Sequence, residues 1–392
     1  MIHILRLPGA AAIVLGLASV IYKNLFHTAS FSRSCRTISS TISSQSDVYY
    51  PGASVYHTDI YHWASSSTQE PACTVEPGTA EDVGEILRIL GQTRTPFAVK
   101  SGGHTANPNF SSSKGVLIAL YRFNEVVYDS ESQTATIGTG LIFDDVYAAL
   151  EPHKVSVLGA RVTGIGVGGF VLGGGYSWKT NQYGLAVDSI TSFELVKPNG
   201  EVTNVTESTD SELFFGLKGG FNNFGIVTRV TMRTYPQPMV WGGMITYTKY
   251  SIAEVTAAVI KFSATNTDPK ANIIAGYDCV LTEPLITQLL YYDGPNPPAG
   301  LFDDFLKIPA LIKDIGQRSL HKYIKLTASN VSADFHLGAV FHTVPLLGYS
   351  ARVMDTVQSE LTFWCDALAL DATPFISTLY LCYGEIGIMK LS

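Results

Sequence analysis

Apolar positions recur along this chain with two periods, and the switches between them mark its elements. In "GTAEDVGEILRIL", Val83, Ile86, Leu87 and Leu90 fall at i, i+3, i+4 and i+7, one face of a helix. Thr79 supplies an N-cap, and Glu81 and Asp82 an acidic first turn. Short apolar runs on either side, "ACTVEP" before and "PFAV" (96–99) after, predict strands. Strand, helix and strand therefore deliver the chain into "KSGGHT", residues 100–105. Further strands are predicted at 116–120 and 134–138 and a helix over 143–151. "ITSFELVKPNGEVTNV" reads as two strands joined at Asn199-Gly200, a strong hairpin signal. "DSELFFGLKGG" predicts a short helix and "FGIVTRVTMRTYP" a strand ending at Pro236. A boundary falls at "PQP", 236–238. Beyond it, Ser251 and Glu254 form an expected capping box at the head of the amphipathic helix "SIAEVTAAVIKFSAT". "LITQLLYYDG" and "FHLGAVFHTV" follow as strands, giving a second α+β unit.

Composition narrows the class. Of 392 residues 46% are hydrophobic and 15% charged, which excludes a disordered chain. The net charge is −7 with no basic stripe, which excludes nucleic acid as a partner. Residues 1–35 stand apart: an apolar run of 16 residues, Leu7 to Tyr22, lies between Arg6 and Lys23. A membrane-spanning helix needs about 20 such residues, so the segment reads as a signal peptide or signal-anchor. The chain is accordingly expected to be secreted, or held at a membrane only if that segment stays as an anchor. Residues 36–66, rich in Ser and Thr at their start, read as a surface connector. Three sequons, at Asn109, Asn204 and Asn330, fit an exported glycoprotein. The five cysteines, at 35, 73, 279, 365 and 382, have no metal-ligand or CxxC spacing, so no metal and no thiol-redox chemistry is expected. A Cys35–Cys73 bond would tie the N-terminal segment to the body, although spacing alone leaves the pairing open.

Glycine carries the chemical signal. A glycine pair lets backbone approach a ligand, and consecutive N–H groups in such a turn make an anion nest. "SGGHT" after a strand therefore suits a pyrophosphate. No P-loop is present, and "GIGVGG" (164–169) lacks the βαβ context of a Rossmann fingerprint. Residues 159–188 hold nine glycines in thirty positions, too many for an ordinary core element. Two close-approach loops, one bearing His104, point to a large planar phosphorylated cofactor. His153 and His342 read as ordinary histidines, and Asp144-Asp145 as dipole compensation in a helix's first turn.

The segments "ACTVEPGTAEDVGEILRI", "FAVKSGGHT", "VGGFVLGGGYSWKTNQYGLAVD", "ELVKPNGEV" and "ELFFGLKGGFNNFGIVT" follow one another over 67–238. In that order they resemble the FAD-linked oxidases with a PCMH-type (vanillyl-alcohol-oxidase-like) flavin domain, in particular the fungal berberine bridge enzyme-like branch. The resemblance implies an α+β fold. A two-subdomain FAD-binding domain over 67–238 would precede an α+β substrate domain over 239–392, an antiparallel sheet with helices. It further implies a cofactor-binding turn at Lys100, Ser101, Gly102, Gly103, His104 and Thr105, in which Ser101, Gly102, Gly103 and Thr105 wrap the FAD pyrophosphate. His104 would bond covalently to the flavin. Gly164, Gly168, Gly169, Gly173, Gly174 and Gly175 would lie along the flavin and ribityl chain, with Tyr183, Gly184, Ile226 and Val227 completing the site. Val162 stands where some relatives place a second flavin-bonding Cys, so attachment through His104 alone is implied. The implied function is an FAD-dependent oxidase. It would take a hydride from an oligosaccharide or other small-molecule substrate, such as a secondary metabolite, and hand the electrons to dioxygen. From about residue 378 the tail "TLYLCYGEIGIMKLS" departs from the family pattern, which implies a substrate domain incomplete at its C-terminus. The family's usual base falls in that part, so no catalytic residue is assigned. The alternative implied is a truncated, catalytically inactive flavoprotein remnant.

Overall fold

The computed structural model describes residues 30–280, 283–326, 346, 348–369 and 376–383. Most of the expected targeting segment, Asn330, His342, the strand expected in "FHLGAVFHTV" and the tail beyond 383 lie outside the described residues.

The first sheet is small and half parallel. Helix α1 (30–41) and strand β1 (Asp47–Tyr49) lead into α2 (Ser54–Ile60), then β2 (Cys73–Glu76), α3 (Ala80–Thr93), β3 (Phe97–Lys100) and β4 (Val116–Ala119). The strand order is β1-β2-β4-β3, with β2 and β3 parallel to β4. Parallel strands need a crossover, and α3 supplies it between β2 and β3, which flank β4, burying Val83, Ile86, Leu87 and Leu90 as its periodicity requires. The Thr79 side chain accepts from the Asp82 N–H at 3.1 Å, as expected of an N-cap.

The second sheet is antiparallel. It takes β5 (Val126–Asp129), β6 (Thr134–Gly138), β8 (Ile190–Val196), β9 (Val202–Val205) and β10 (Ile226–Arg233) in the order β5-β6-β10-β8-β9. Helices α4 (Phe143–Leu150), α5 (Val167–Leu172), α6 (Thr180–Tyr183) and α7 (Ser211–Leu217) belong to this lobe, and β7 (Val155–Ser156) pairs with β11 (Tyr235–Pro236). The hairpin at Asn199-Gly200 forms as read, with Gly200 at φ +82°. A third sheet, wholly antiparallel, follows the 236–238 boundary. Its order is β15 (Ile312–Arg318), β12 (Val240–Thr248), β14 (Glu283–Tyr292), β13 (Ala271–Val280), β16 (Ile376–Tyr383). Helices α8 (Ile252–Thr265), α9 (Asp303–Leu306) and α11 (Ala351–Ala369) bury apolar residues against it, and α10 (Leu320–Ile324) packs toward α4. The chain is thus an α+β protein.

Two local expectations change. The stretch 36–66 is no mere connector: Ile38 is buried in the first core cluster, β1 extends the first sheet, and α2 covers one of its faces. Ser251 does not cap α8. Its hydroxyl donates to Pro309 O at 3.3 Å, because a 3-10 turn over 249–251 already carries the chain into the helix. The bond Cys35–Cys73 is present, and Cys279–Cys365 is a second disulfide.

Asp82 does more than complement a helix dipole. Its carboxylate accepts from Ser43 N at 2.9 Å, Ser43 Oγ at 2.6 Å and Ser46 Oγ at 2.6 Å, tying the N-terminal segment to α3. Burial alone would raise this carboxyl, but the serine hydrogen bonds outweigh it and hold the pKa below its ordinary value. Asp82→Ala should therefore cost about 1–3 kcal/mol, seen as a lower urea midpoint at neutral pH. A depressed carboxylate contributes stability above its ordinary pKa and loses it as pH falls through the lowered one. The gap between parent and variant should therefore narrow on acidification. An unchanged midpoint would remove Asp82 from the supports of this fold.

Candidate active site

Strand β3 ends at Lys100, and the next five residues turn across the end of the first sheet. Lys100 points down, away from the turn's open side. Its ammonium, 1% exposed as a residue, donates to Tyr121 Oη at 2.5 Å and reaches Thr58 O at 3.5 Å. Burial lowers its pKa to about 8 against the pull of Asp59, and burial raises Asp59 to about 6. Above it, Gly103 sits at φ +69°, where an added Cβ would lie 2.5 Å from Lys100 Cε. Only glycine satisfies both conditions.

The Ser101 hydroxyl donates to Thr139 O at 2.5 Å and accepts from the Gly168 N–H at 3.1 Å. It therefore pins the turn to the end of β6 and to α5. Gly102 lies so close to Gly166 that a Cβ would stand 2.6 Å from that residue's N and Cα. The two glycine-rich segments are thus in backbone contact. The N–H groups of Gly102, Gly103, His104 and Thr105 donate to no acceptor among the described residues. Thr105 Oγ1 accepts from Asn107 N at 3.1 Å.

His104 follows directly. Its Nε2 is buried and finds no hydrogen-bond partner among the described residues. Burial lowers the imidazole pKa to about 4, so the ring is neutral across the physiological range. The Trp63 indole lies against it, centroids 4.7 Å apart and planes 15° from parallel. A neutral imidazole with one buried, unsatisfied nitrogen is uncommon and points to a ligand or a reaction.

A cavity of about 280 Å³ opens on this turn. Ser101, Gly102, Gly103, His104, Thr105, Gly168, Gly169, Ile226 and Val227 line it, so nine of the residues singled out in the sequence converge there. Gly169 is open on the cavity side, where an added Cβ would meet nothing within 4 Å. Lys100, Gly164, Gly173, Gly174, Gly175, Tyr183 and Gly184 stand off it. Gly164, at φ +81°, gives its N–H to Asp144 Oδ2 at 2.9 Å, and Thr163 Oγ1 donates to Asp144 Oδ1 at 2.6 Å. Asp144 is thus the anchor of the glycine loop, a role that dipole compensation had hidden. Gly173 makes room for the Phe221 ring, and Gly174 and Gly175 take φ of +108° and +75°. The Tyr183 ring lies against Tyr235, centroids 4.1 Å apart and planes tilted by 30°, beside Gly184 at φ +83°.

Sequence reasoning missed Trp63, Asp144, Phe110 and Phe221. Phe110 and Phe221 meet edge to face at 5.4 Å and both line the cavity. Gly166 and Gly225 were legible as glycines, since each has a neighbour that excludes a Cβ. The aromatics carried no local signal.

These residues fit an FAD. Free N–H groups suit its diphosphate, the open wall at Gly169 suits a planar body, and the unsatisfied Nε2 of His104 suits a tether. Residues 71–206 match the family described as FAD binding domain. An uncharacterized FAD-linked oxidoreductase of Arthroderma benhamiae is 36% identical over 282 residues, 70% of this chain and 56% of that protein. The chain thus spans about half the length of the curated relatives it matches. In fold it is similar to 6-hydroxy-D-nicotine oxidase of Arthrobacter nicotinovorans, with TM-score 0.69, 22% identity, and coverage of 81% of this chain and 72% of that one. It is similar also to the xylooligosaccharide oxidase of Myceliophthora thermophila C1, with TM-score 0.66, 19% identity, and coverage of 88% and 74%. Residues 71–206 therefore form an FAD binding domain, and the chain is similar over 282 residues to an FAD-linked oxidoreductase.

Proposed function

We propose that this protein holds FAD across the two glycine segments, tethered through His104, and oxidises an organic substrate with dioxygen as the final acceptor. The observation that carries the reading is the meeting, in one cavity, of four N–H groups with no acceptor among the described residues, an open glycine wall and a neutral imidazole whose Nε2 has no hydrogen-bond partner among them. Bound FAD would supply the two-electron acceptor for a substrate C–H bond. The N–H groups of Gly102 to Thr105 would face the diphosphate, while the Ser101 hydroxyl, already committed to Thr139 and Gly168, holds the turn in shape. Lys100 acts from below, as a buried support of the same turn. Gly164, Gly173, Gly174, Gly175, Tyr183 and Gly184 shape the walls through their backbone conformations. Val162 has no nucleophilic atom, which leaves His104 as the tether.

Two fold neighbours, one named for a xylooligosaccharide and one for 6-hydroxy-D-nicotine, are in keeping with a substrate of that general kind. We favour an oligosaccharide or a small secondary metabolite, bound over the third sheet. Two disulfides, and sequon asparagines Asn109 and Asn204 on the surface, support an exported protein.

The tether is tested by acid denaturation. Flavin should stay with the parent polypeptide and leave His104→Ala, which should still bind FAD reversibly in its native state. Flavin retained by the denatured variant would rule out His104. The cavity is tested by a pair of glycine variants. Gly169→Leu should keep the parental thermal midpoint and bind FAD on the order of tenfold more weakly, about 1.4 kcal/mol. Gly166→Val should cost about 1–3 kcal/mol of stability by overpacking, since its Cβ would stand 2.2 Å from Gly102 N. Undiminished FAD affinity in Gly169→Leu would show that the cofactor does not occupy this cavity.

A further inference from the structure

The segment that ends α2 runs beneath the His104 turn. Thr58 O meets the Lys100 ammonium, and His62 is held between Ile60 O at 2.8 Å and Ser111. Trp63 makes two contacts of a different kind. Its N–H donates to Gly103 O at 3.0 Å, and its indole stacks on the His104 imidazole. One residue thereby fixes both the carbonyl before His104 and the plane of the ring itself.

The geometry points to Trp63 as a positioning residue for flavin attachment: it clamps the His104 imidazole in one orientation and leaves a ring nitrogen without a protein partner. The inference rests on the reading that FAD binds at this turn and is tethered by His104. In the attachment step a bond forms between a ring nitrogen and the flavin 8α carbon. One proton leaves that carbon and one leaves the imidazole, and the electron pair released passes through the flavin to dioxygen, giving hydrogen peroxide. Trp63 enters no bond. It removes the rotation that would otherwise be lost on reaching the reactive arrangement. It also covers one face of the ring, keeping the imidazole buried and neutral. The titratable groups packed around the turn are Asp59 and His62 from below, Lys100 before it, and Tyr121 beside the lysine.

The test uses the 392-residue parent, Trp63→Leu, Trp63→Phe and His104→Ala, with FAD as the probe. Reversible binding is read by quenching of flavin fluorescence, and attachment by flavin that stays with acid-denatured chain over time. Trp63→Leu should bind FAD about as tightly as the parent and attach it on the order of a hundredfold more slowly. Trp63→Phe should recover most of the rate, because a phenyl ring still stacks. Below about pH 6.5 the leucine variant should fall further behind the parent, since an uncovered imidazole returns toward its ordinary pKa and protonates. Asp59, His62, Lys100 and Tyr121 are present in both proteins, so the ratio of the two rates isolates the change at His104. Attachment by Trp63→Leu at the parental rate would overturn the proposal while leaving FAD binding intact. A phenylalanine variant as slow as the leucine one would overturn it too, since the loss would then track packing and not ring stacking. Failure of the parent to bind FAD would overturn the underlying reading, and this inference with it.

Discussion

The hydroxyl of Ser101 joins the two halves of the FAD binding domain. It donates to Thr139, at the end of the antiparallel sheet, and accepts from Gly168, at the start of α5, while its own backbone extends the parallel strand β3. Beside it, Gly102 and Gly166 touch backbone to backbone at a distance that admits no side chain. Every feature of the site follows from this closure. Because the two segments meet, Gly169 and the 102–105 turn face the same space, and His104 is withdrawn from water. Withdrawal from water is what holds its imidazole neutral.

The third sheet is fastened to this domain by a buried polar cluster. Lys179 gives its ammonium to Pro236 O at 2.9 Å and lies 3.6 Å from Asp293 Oδ2, both side chains almost wholly covered. Asp293 also accepts from Gln182 Nε2 at 2.9 Å and from Tyr291 Oη at 3.3 Å. Trp178 stacks on Tyr291 at 4.9 Å, and Asn272 donates to the Trp178 carbonyl at 2.9 Å. A buried ion pair contributes little net stability once desolvation is counted, but it tolerates few orientations. Here it links the third sheet, through Asp293, to the segment that follows Gly175.

The elements whose physics is local were legible before the structure. Helix α3, with its cap and its apolar face, the Asn199-Gly200 hairpin and the helix capped by Asp210 all form where their residues place them. So did the turn that carries His104, since two glycines after a strand report a close approach whatever lies on the other side. The helix start at Ser251 was misread because a capping pattern cannot report that a carbonyl from residue 309 competes for the hydroxyl.

What the sequence by itself determined was the class of cofactor and the turns that suit it, because glycine content is a statement about backbone and needs no neighbours. Only the tertiary structure decided which side chains serve the site. Trp63 stands 41 positions before His104 and Phe221 stands 111 after Phe110, and no periodicity links either pair. Asp144 looked like a charge at a helix end until the fold brought Thr163 and Gly164 onto its two oxygens. Side-chain partners of that kind are chosen by where two sheets meet, and that angle is fixed by packing across the whole chain, not by any stretch of it.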